Sequence, residues 1–183
     1  MSEIVRETRE TRVRVAFARA GGESRISTAI PFLDHMLATL ARYAGASLQV
    51  SADGDLRHHI AEDVAITVGT AVLRATPNAC ARYGHRVVPM DDALVEVTLD
   101  LGGRVYYRGP LPSAMYDHWM RSFAQHAQCT LHVRVLRGRD RHHIVEAAFK
   151  ALGMALREAL TEQSAEMSTK GPVRLEDVCL PGD

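Results

Sequence analysis

Two histidine pairs stand at spacings that could hold metal ions. His58-His59-Ile60-Ala61-Glu62 reads H-H-x-x-E, and His142-His143-Ile144-Val145-Glu146 repeats the pattern 84 residues later. An Asp-His pair precedes each, Asp34-His35 and Asp117-His118, and these are 83 residues apart. On a helix, residues three or four apart share a face. His58 or His59 can therefore act with Glu62, and His142 or His143 with Glu146. Adjacent helical residues point ~100° apart, so the two histidines of one pair suit two different ions. The ligand pool is His35, His58, His59, His118, His142 and His143 with Glu62 and Glu146. It divides into three His and one Glu per ion, leaving positions for substrate or water. Imidazole with carboxylate fits Mn, Fe, Co, Ni or Zn better than Mg or Ca, and without Cys ligands a structural zinc site is disfavoured. Asp34 and Asp117 are expected either to cap a helix turn or to orient a ligand histidine.

The elements that must position these groups are legible from periodicity. Thr11 to Ala18 alternates as a strand, and Arg25 to Ala29 reads as a second. Pro31 suits a first helical turn, and Phe32 to Tyr43 carries Leu33, Met36, Leu37 and Leu40 at helical spacing. Ser47 to Ala52 alternates again, and His58 to Ala75 reads as a helix ending before Pro77. The second half follows the same order: strand 93–100, a Gly102-Gly103 hairpin turn, strand 104–108, helix 113–127, strand 130–136 and helix 142–160. Each half is thus strand-strand-helix-strand-helix. Overlaying the last helices puts Gly69 on Gly153, Ala71 on Ala155 and Ala75 on Ala159, small residues that suggest close packing on a sheet. The expected fold is an α/β, two-layer sandwich built by internal duplication. One domain over 1–175 is expected, with halves of about 8–88 and 89–172 and a tail over 173–183.

Composition narrows the class. Of 183 residues, 46% are hydrophobic and 24% charged, which suits a soluble domain. The 22 Lys+Arg balance 22 Asp+Glu, giving no reason to expect nucleic-acid or membrane partners. Three scattered cysteines, Cys80, Cys129 and Cys179, form no disulfide framework and favour a reducing cytoplasm. The first residues hold no apolar segment of a signal peptide. No apolar run approaches the ~18 residues of a membrane span.

A wider set of motifs resembles the imidazoleglycerol-phosphate dehydratase family. The first half carries Phe32-Leu33-Asp34-His35-Met36-Leu37, His58-His59-x-x-Glu62-Asp63 and Val88-Pro89-Met90-Asp91-Asp92-Ala93-Leu94. The second carries Gly103-Arg104, Asp117-His118, Ser122-Phe123-Ala124, Thr130-Leu131-His132, His142-His143-x-x-Glu146, Phe149-Lys150-Ala151 and Ser168-Thr169-Lys170-Gly171. They come in the family's order from Glu10-Thr11 to Gly171. The resemblance implies loss of water from imidazole glycerol phosphate to give imidazole acetol phosphate, in histidine biosynthesis. It implies two Mn²⁺ per active site and a homo-oligomer of 24 subunits with sites shared between neighbours. By the same resemblance, the metals favour the ring's deprotonated form, which expels hydroxide to give a diazafulvene-like intermediate. A carboxylate then shuttles protons. Glu10 of Glu10-Thr11 matches the family's residue for that task, and Glu62 and Glu146 stand beside it as catalytic candidates. Arg82, Arg104, Lys150, Ser168, Thr169 and Lys170 match the phosphate-binding set. His85, His126 and His132 are read as structural.

Three departures from the family pattern stand out. Thr28-Ala29-Ile30-Pro31 replaces a usual Thr-Gly-Ile-Gly, which removes backbone freedom beside a ligand helix. The approach from Asp55 to His58 is shorter by about three residues, and Arg42-Tyr43-Ala44-Gly45 stands for Arg-His-Gly. No appended phosphatase domain is expected. Two other readings stay open on residues alone. One is a metal-dependent phosphoester hydrolase on the same scaffold, the other a non-catalytic protein assembled by metal.

Overall fold

The structure is a computed structural model and describes residues 3–165. It contains two sheets of four strands and four helices. The first half runs β1 (Glu3–Glu7), β2 (Thr11–Ala18), β3 (Arg25–Ser27), α1 (Pro31–Ala44), β4 (Ser47–Gly54) and α2 (Arg57–Ala75). The second runs β5 (Tyr83–Met90), β6 (Ala93–Asp100), β7 (Tyr106–Arg108), α3 (Ala114–His126), β8 (Thr130–Arg137) and α4 (Arg141–Ala159). Strand orders are β1-β2-β4-β3 and β5-β6-β8-β7, the same topology twice.

The duplicated α/β architecture follows the sequence periodicity, with two differences. Each half opens with a strand the periodicity did not mark. β1 is only five residues long and half exposed. β5 carries Gly84 and Pro89, both disruptive in a strand interior, and tolerates them as an edge strand. The Gly102-Gly103 hairpin also does not form. β7 crosses to the far side of β8 and pairs with it in parallel, Tyr106 opposite Thr130, with α3 as the connection.

Each half is a sheet with its helices on one face, and the halves join helix to helix. α2 packs on β2 and α3, and α4 on β5, β6 and α1, so the helices lie between the sheets. The core sits there, with Trp119, Phe123, Phe149, Leu33, Leu37 and Leu152 fully buried. The aligned glycines work at this seam and not against a sheet. A Cβ on Gly69 would stand 2.6 Å from Phe123 O, and one on Gly153 would stand 2.7 Å from Leu40 O. Each marks the contact of its helix with a helix of the other half. Ala155 is the small residue that faces a sheet, against Gly84 of β5.

Two repeated anchors set the ligand helices. Asp34 Oδ1 accepts the Thr28 N–H at 2.8 Å and the Thr28 hydroxyl at 2.6 Å. Its counterpart Asp117 accepts the Leu111 N–H at 2.9 Å and the Tyr107 hydroxyl at 2.6 Å. Both therefore tie an incoming loop to its helix. Between Thr28 and α1, Ala29 takes φ +57°, a left-handed conformation that suits glycine.

Candidate metal centres and substrate site

The ligand helices start where their strands end. Pro31 opens α1, and Asp140 caps α4 by accepting the His142 N–H at 2.7 Å. The first turns of α2 and α4 then carry the histidine pairs. His58 and Glu62 lie on one face of α2, Nε2 to Oε2 4.0 Å, as the i,i+4 spacing requires. His142 and Glu146 do the same on α4 at 3.3 Å.

The third member of each group comes from the other half. His118 of α3 brings Nε2 to 3.2 Å from Glu62 and stacks on His58 with ring centroids 5.1 Å apart. His35 of α1 brings Nε2 to 3.6 Å from Glu146. Donor atoms of His58, Glu62 and His118 all lie within 4.8 Å of one another. The structure thus gathers one close His₂Glu group on α2 and α3 and brings His35 and His142 each to Glu146, while a second close set of donors is Glu10, Asp55 and His59.

His59 and His143 turn away from Glu62 and Glu146. Their rings stand at 68° and 83° to those of His58 and His142. His59 Nδ1 lies 2.9 Å from Asp55 Oδ1 and 3.5 Å from Glu10 Oε2. His143 Nδ1 lies 2.8 Å from Asp92 Oδ1, and its Nε2 lies 3.2 Å from Asp91. The hydrogen bonds to Asp55 and to Asp92 raise the pKa of His59 and of His143 against partial desolvation, with the charges of Glu10 and Asp91 adding to this. Asp92 is held at about 2, first by His143 and then by the N–H groups of Arg139 and Asp140. Asp55 is lowered by its bond to His59. Asp55 and Asp92 were not singled out as site residues from the sequence. The repeat itself carries the signal, because aligning β2 with β6 sets Glu10 on Asp92.

The two glutamates differ in support. Lys150 Nζ sits 2.9 Å from Glu146 Oε1, and both side chains are nearly buried, at 15% and 10% exposure. Burial pushes the Glu146 carboxyl up, but the Lys150 bond and charge, with His35 and His142, outweigh it and the pKa falls. At the equivalent position of α2 stands Ile66, so Glu62 has no lysine in that register.

The remaining candidates fall elsewhere. Arg82 Nε donates to Asp100 Oδ1 at 2.7 Å, and Arg104 reaches within 3.9 Å of Asp100 Oδ2. Both cations therefore converge on the end of β6, with Arg104 largely exposed. Ser168, Thr169 and Lys170 lie outside the described residues, as does Cys179. His85 bonds Glu96, His126 bonds the Ser122 carbonyl, and His132 packs on Tyr106, which are structural contacts.

Comparison with known proteins decides the family. The family model for imidazoleglycerol-phosphate dehydratase matches residues 28–156. The chain belongs to the imidazoleglycerol-phosphate dehydratase family. It is 42% identical to the imidazoleglycerol-phosphate dehydratase of Desulforudis audaxviator, covering 94% of this chain and 97% of that one. It is 46% identical to that of Pyrobaculum aerophilum, over 91% and 97%. The crystal structure of the Pyrococcus furiosus enzyme in complex with (S)-C348 superposes with TM-score 0.84 at 38% identity, covering 93% of this chain and all of that one. The Staphylococcus aureus enzyme gives 0.78 at 30% identity, covering 89% of this chain. Members of this family are hydro-lyases of histidine biosynthesis, and that membership decides against the hydrolase and the non-catalytic readings. Among the described residues, no helix is long and apolar enough to cross a membrane.

Proposed function

We propose that the chain dehydrates D-erythro-imidazole glycerol phosphate to imidazole acetol phosphate, using two Mn²⁺ per active site. The observation that carries this reading is the close His₂Glu group on α2 and α3 with its counterpart around Glu146, each with a further histidine facing away beside it. His58, Glu62 and His118 would hold one ion, and His35, His142 and Glu146 the other. His59 and His143 then serve the corresponding groups of neighbouring copies, which makes three His and one Glu per ion. When bound, the ions supply Lewis acidity at the ring nitrogens and a template for the ring.

The chain's own residues divide the rest. Glu10 is exposed at a hairpin turn, with its carboxylate 3.5 Å from His59 and near Asp55, where it can take and return a proton. Arg82 and Arg104 hold the phosphate as charged donors, with Lys150, Ser168, Thr169 and Lys170 as the further candidates.

Distance supports sites shared between subunits. Arg82 N–H donates to Ala159 O at the C-terminal end of α4, while His142 lies at its N-terminal end. The helix between them spans ~26 Å. A substrate of about seven bonds between ring nitrogen and phosphorus reaches under about 10 Å. Arg82 and the His142 end of α4 in one chain stand too far apart to meet on one substrate, which supports a site that takes Arg82 from a second copy, whereas Lys150 beside Glu146 can serve from the same chain. A closed homo-oligomer, of 24 subunits by family resemblance, supplies that arrangement. Cytoplasmic localisation goes with this reading.

The test is incubation of the full chain with imidazole glycerol phosphate and Mn²⁺, with growth of a histidine auxotroph lacking the dehydratase. We expect an enolisable ketone product and restored growth. Release of inorganic phosphate without the ketone, or continued auxotrophy, would overturn the proposal.

A further inference from the structure

The two halves hold their outward histidines with different carboxylates. In the second half, the β5–β6 hairpin residue Asp92 meets His143 Nδ1 at 2.8 Å. The same carboxylate accepts the Arg139 N–H at 2.7 Å and the Asp140 N–H at 3.2 Å. Three bonds fix it. In the first half the equivalent hairpin residue is Glu10, whose backbone is hydrogen-bonded to Thr8 and Asp55 and whose carboxylate is held less closely. It lies 3.5 Å from His59 Nδ1, with 58% of its side chain exposed. Asp55, four residues before His59 in the shortened approach to α2, meets Nδ1 at 2.9 Å instead. The residue at Asp55's position in the second half is Arg139, which donates its backbone N–H to Asp92.

We propose that Asp55 and Asp92 are positioning residues, each binding Nδ1 of an outward histidine so that Nε2 is presented as a metal ligand, and that Asp55 thereby releases Glu10 from this task. A carboxylate on one ring nitrogen fixes the tautomer and ring angle and raises the basicity of the other nitrogen. Among the described residues nothing bonds His59 Nε2, and only the exposed Asp91 faces His143 Nε2. Duplication gave both halves a hairpin acid beside the second histidine. A mobile proton carrier and a rigid histidine anchor are incompatible demands on one side chain. The first half meets both with two acids, Glu10 and Asp55.

This inference rests on the two-metal reading above, and the test separates the two. Full-length protein is stripped with chelator and titrated with Mn²⁺, free ion being read by electron paramagnetic resonance. Wild type is expected to bind near two ions per chain, and failure to bind would overturn both readings. Asp92→Asn, which keeps an acceptor for the loop N–H groups, is expected to weaken one ion by 10–100-fold, with most of kcat restored at saturating Mn²⁺. Asp55→Asn is expected to do the same for the other ion without touching the β5–β6 hairpin. Glu10→Gln is expected to leave the isotherm within twofold and to lower kcat by 10²–10⁴-fold. Unchanged binding in both aspartate variants, or weakening by Glu10→Gln equal to theirs, would refute the division of labour while leaving the metal reading intact.

Discussion

Lys150→Met tests the support of the second metal group. The substitution keeps the apolar stem and removes the ammonium that stands 2.9 Å from Glu146 Oε1 and 3.0 Å from Met90 Sδ. Glu146 is only 10% exposed, so water replaces the lost partner poorly. A charge-assisted hydrogen bond of this kind contributes about 1.5–3 kcal/mol net. For a chain of this size, 1 kcal/mol moves Tm by about 2–4 °C. The metal-free variant should therefore melt about 3–12 °C below wild type at pH 7.

The pH dependence has a definite sign. The Glu146 pKa is depressed in the folded protein, so its contribution is present above the ordinary carboxylate value of 4.5 and is lost as pH falls through the depressed one. The variant lacks that contribution, and its deficit should hold from neutrality down to about pH 4.5 and shrink as pH falls below it through the depressed value. Saturating Mn²⁺ gives Glu146 a new partner and should reduce the deficit further. By linkage, Mn²⁺ must then bind the variant more tightly than wild type. Melting curves at fixed protein concentration, with chelator and with Mn²⁺, provide the measurement. Equal Tm values without metal, or a deficit unchanged by Mn²⁺, would refute the assignment of Lys150 to Glu146.

Four further outcomes are expected. His59→Ala or His143→Ala should abolish activity and reduce particle size in gel filtration. Co-expressed with Arg82→Ala chains, His143→Ala chains should recover up to about a quarter of wild-type activity by random mixing, and no recovery would argue against shared sites. Between pH 6 and 8 the metal-free protein should lose Tm, because the raised pKa values of His59 and His143 contribute stability below their ordinary 6.5 that is lost as pH rises through the folded values. The increment from Mn²⁺ should grow over the same interval, since ligand imidazoles must be neutral; parallel curves with and without metal would contradict this. Ala29→Gly should raise stability by about 0.5–1 kcal/mol, relief of left-handed strain less the entropy of glycine, measured by denaturant midpoint.

Much of the site was legible because helix geometry is local. The i,i+4 rule paired His58 with Glu62 and His142 with Glu146, and the ~100° step separated His59 and His143 from them. What no local rule reaches is the docking of halves. That His118 completes the α2 group and His35 the α4 group follows from α2 packing on α3 and α4 on α1. Gly69 and Gly153 carried this information in their matched positions, but a small residue does not say whether sheet or helix approaches it. β5 stayed hidden because Gly84 and Pro89 break the pattern that an edge strand is free to break. Lys150 reads as a phosphate ligand by resemblance, and only its burial against Glu146 reveals a second attachment.

The duplication is closer in its donors than in what surrounds them. Two imidazoles and one carboxylate recur in each group, yet Glu146 is neutralised by Lys150 whereas Ile66 stands at the matching place near Glu62. With neutral imidazoles, the Glu62 group carries one negative charge and the Glu146 group, counted with Lys150, carries none. A divalent cation therefore gains more from the first group, and the two ions should enter in order. We expect a Mn²⁺ titration of wild type to show two classes of site, the tighter lost in Glu62→Gln and the weaker in Glu146→Gln. Lys150→Met should draw the two classes together. A single class in wild type, or an order reversed between the glutamate variants, would mean that the lysine does not govern the difference between the halves.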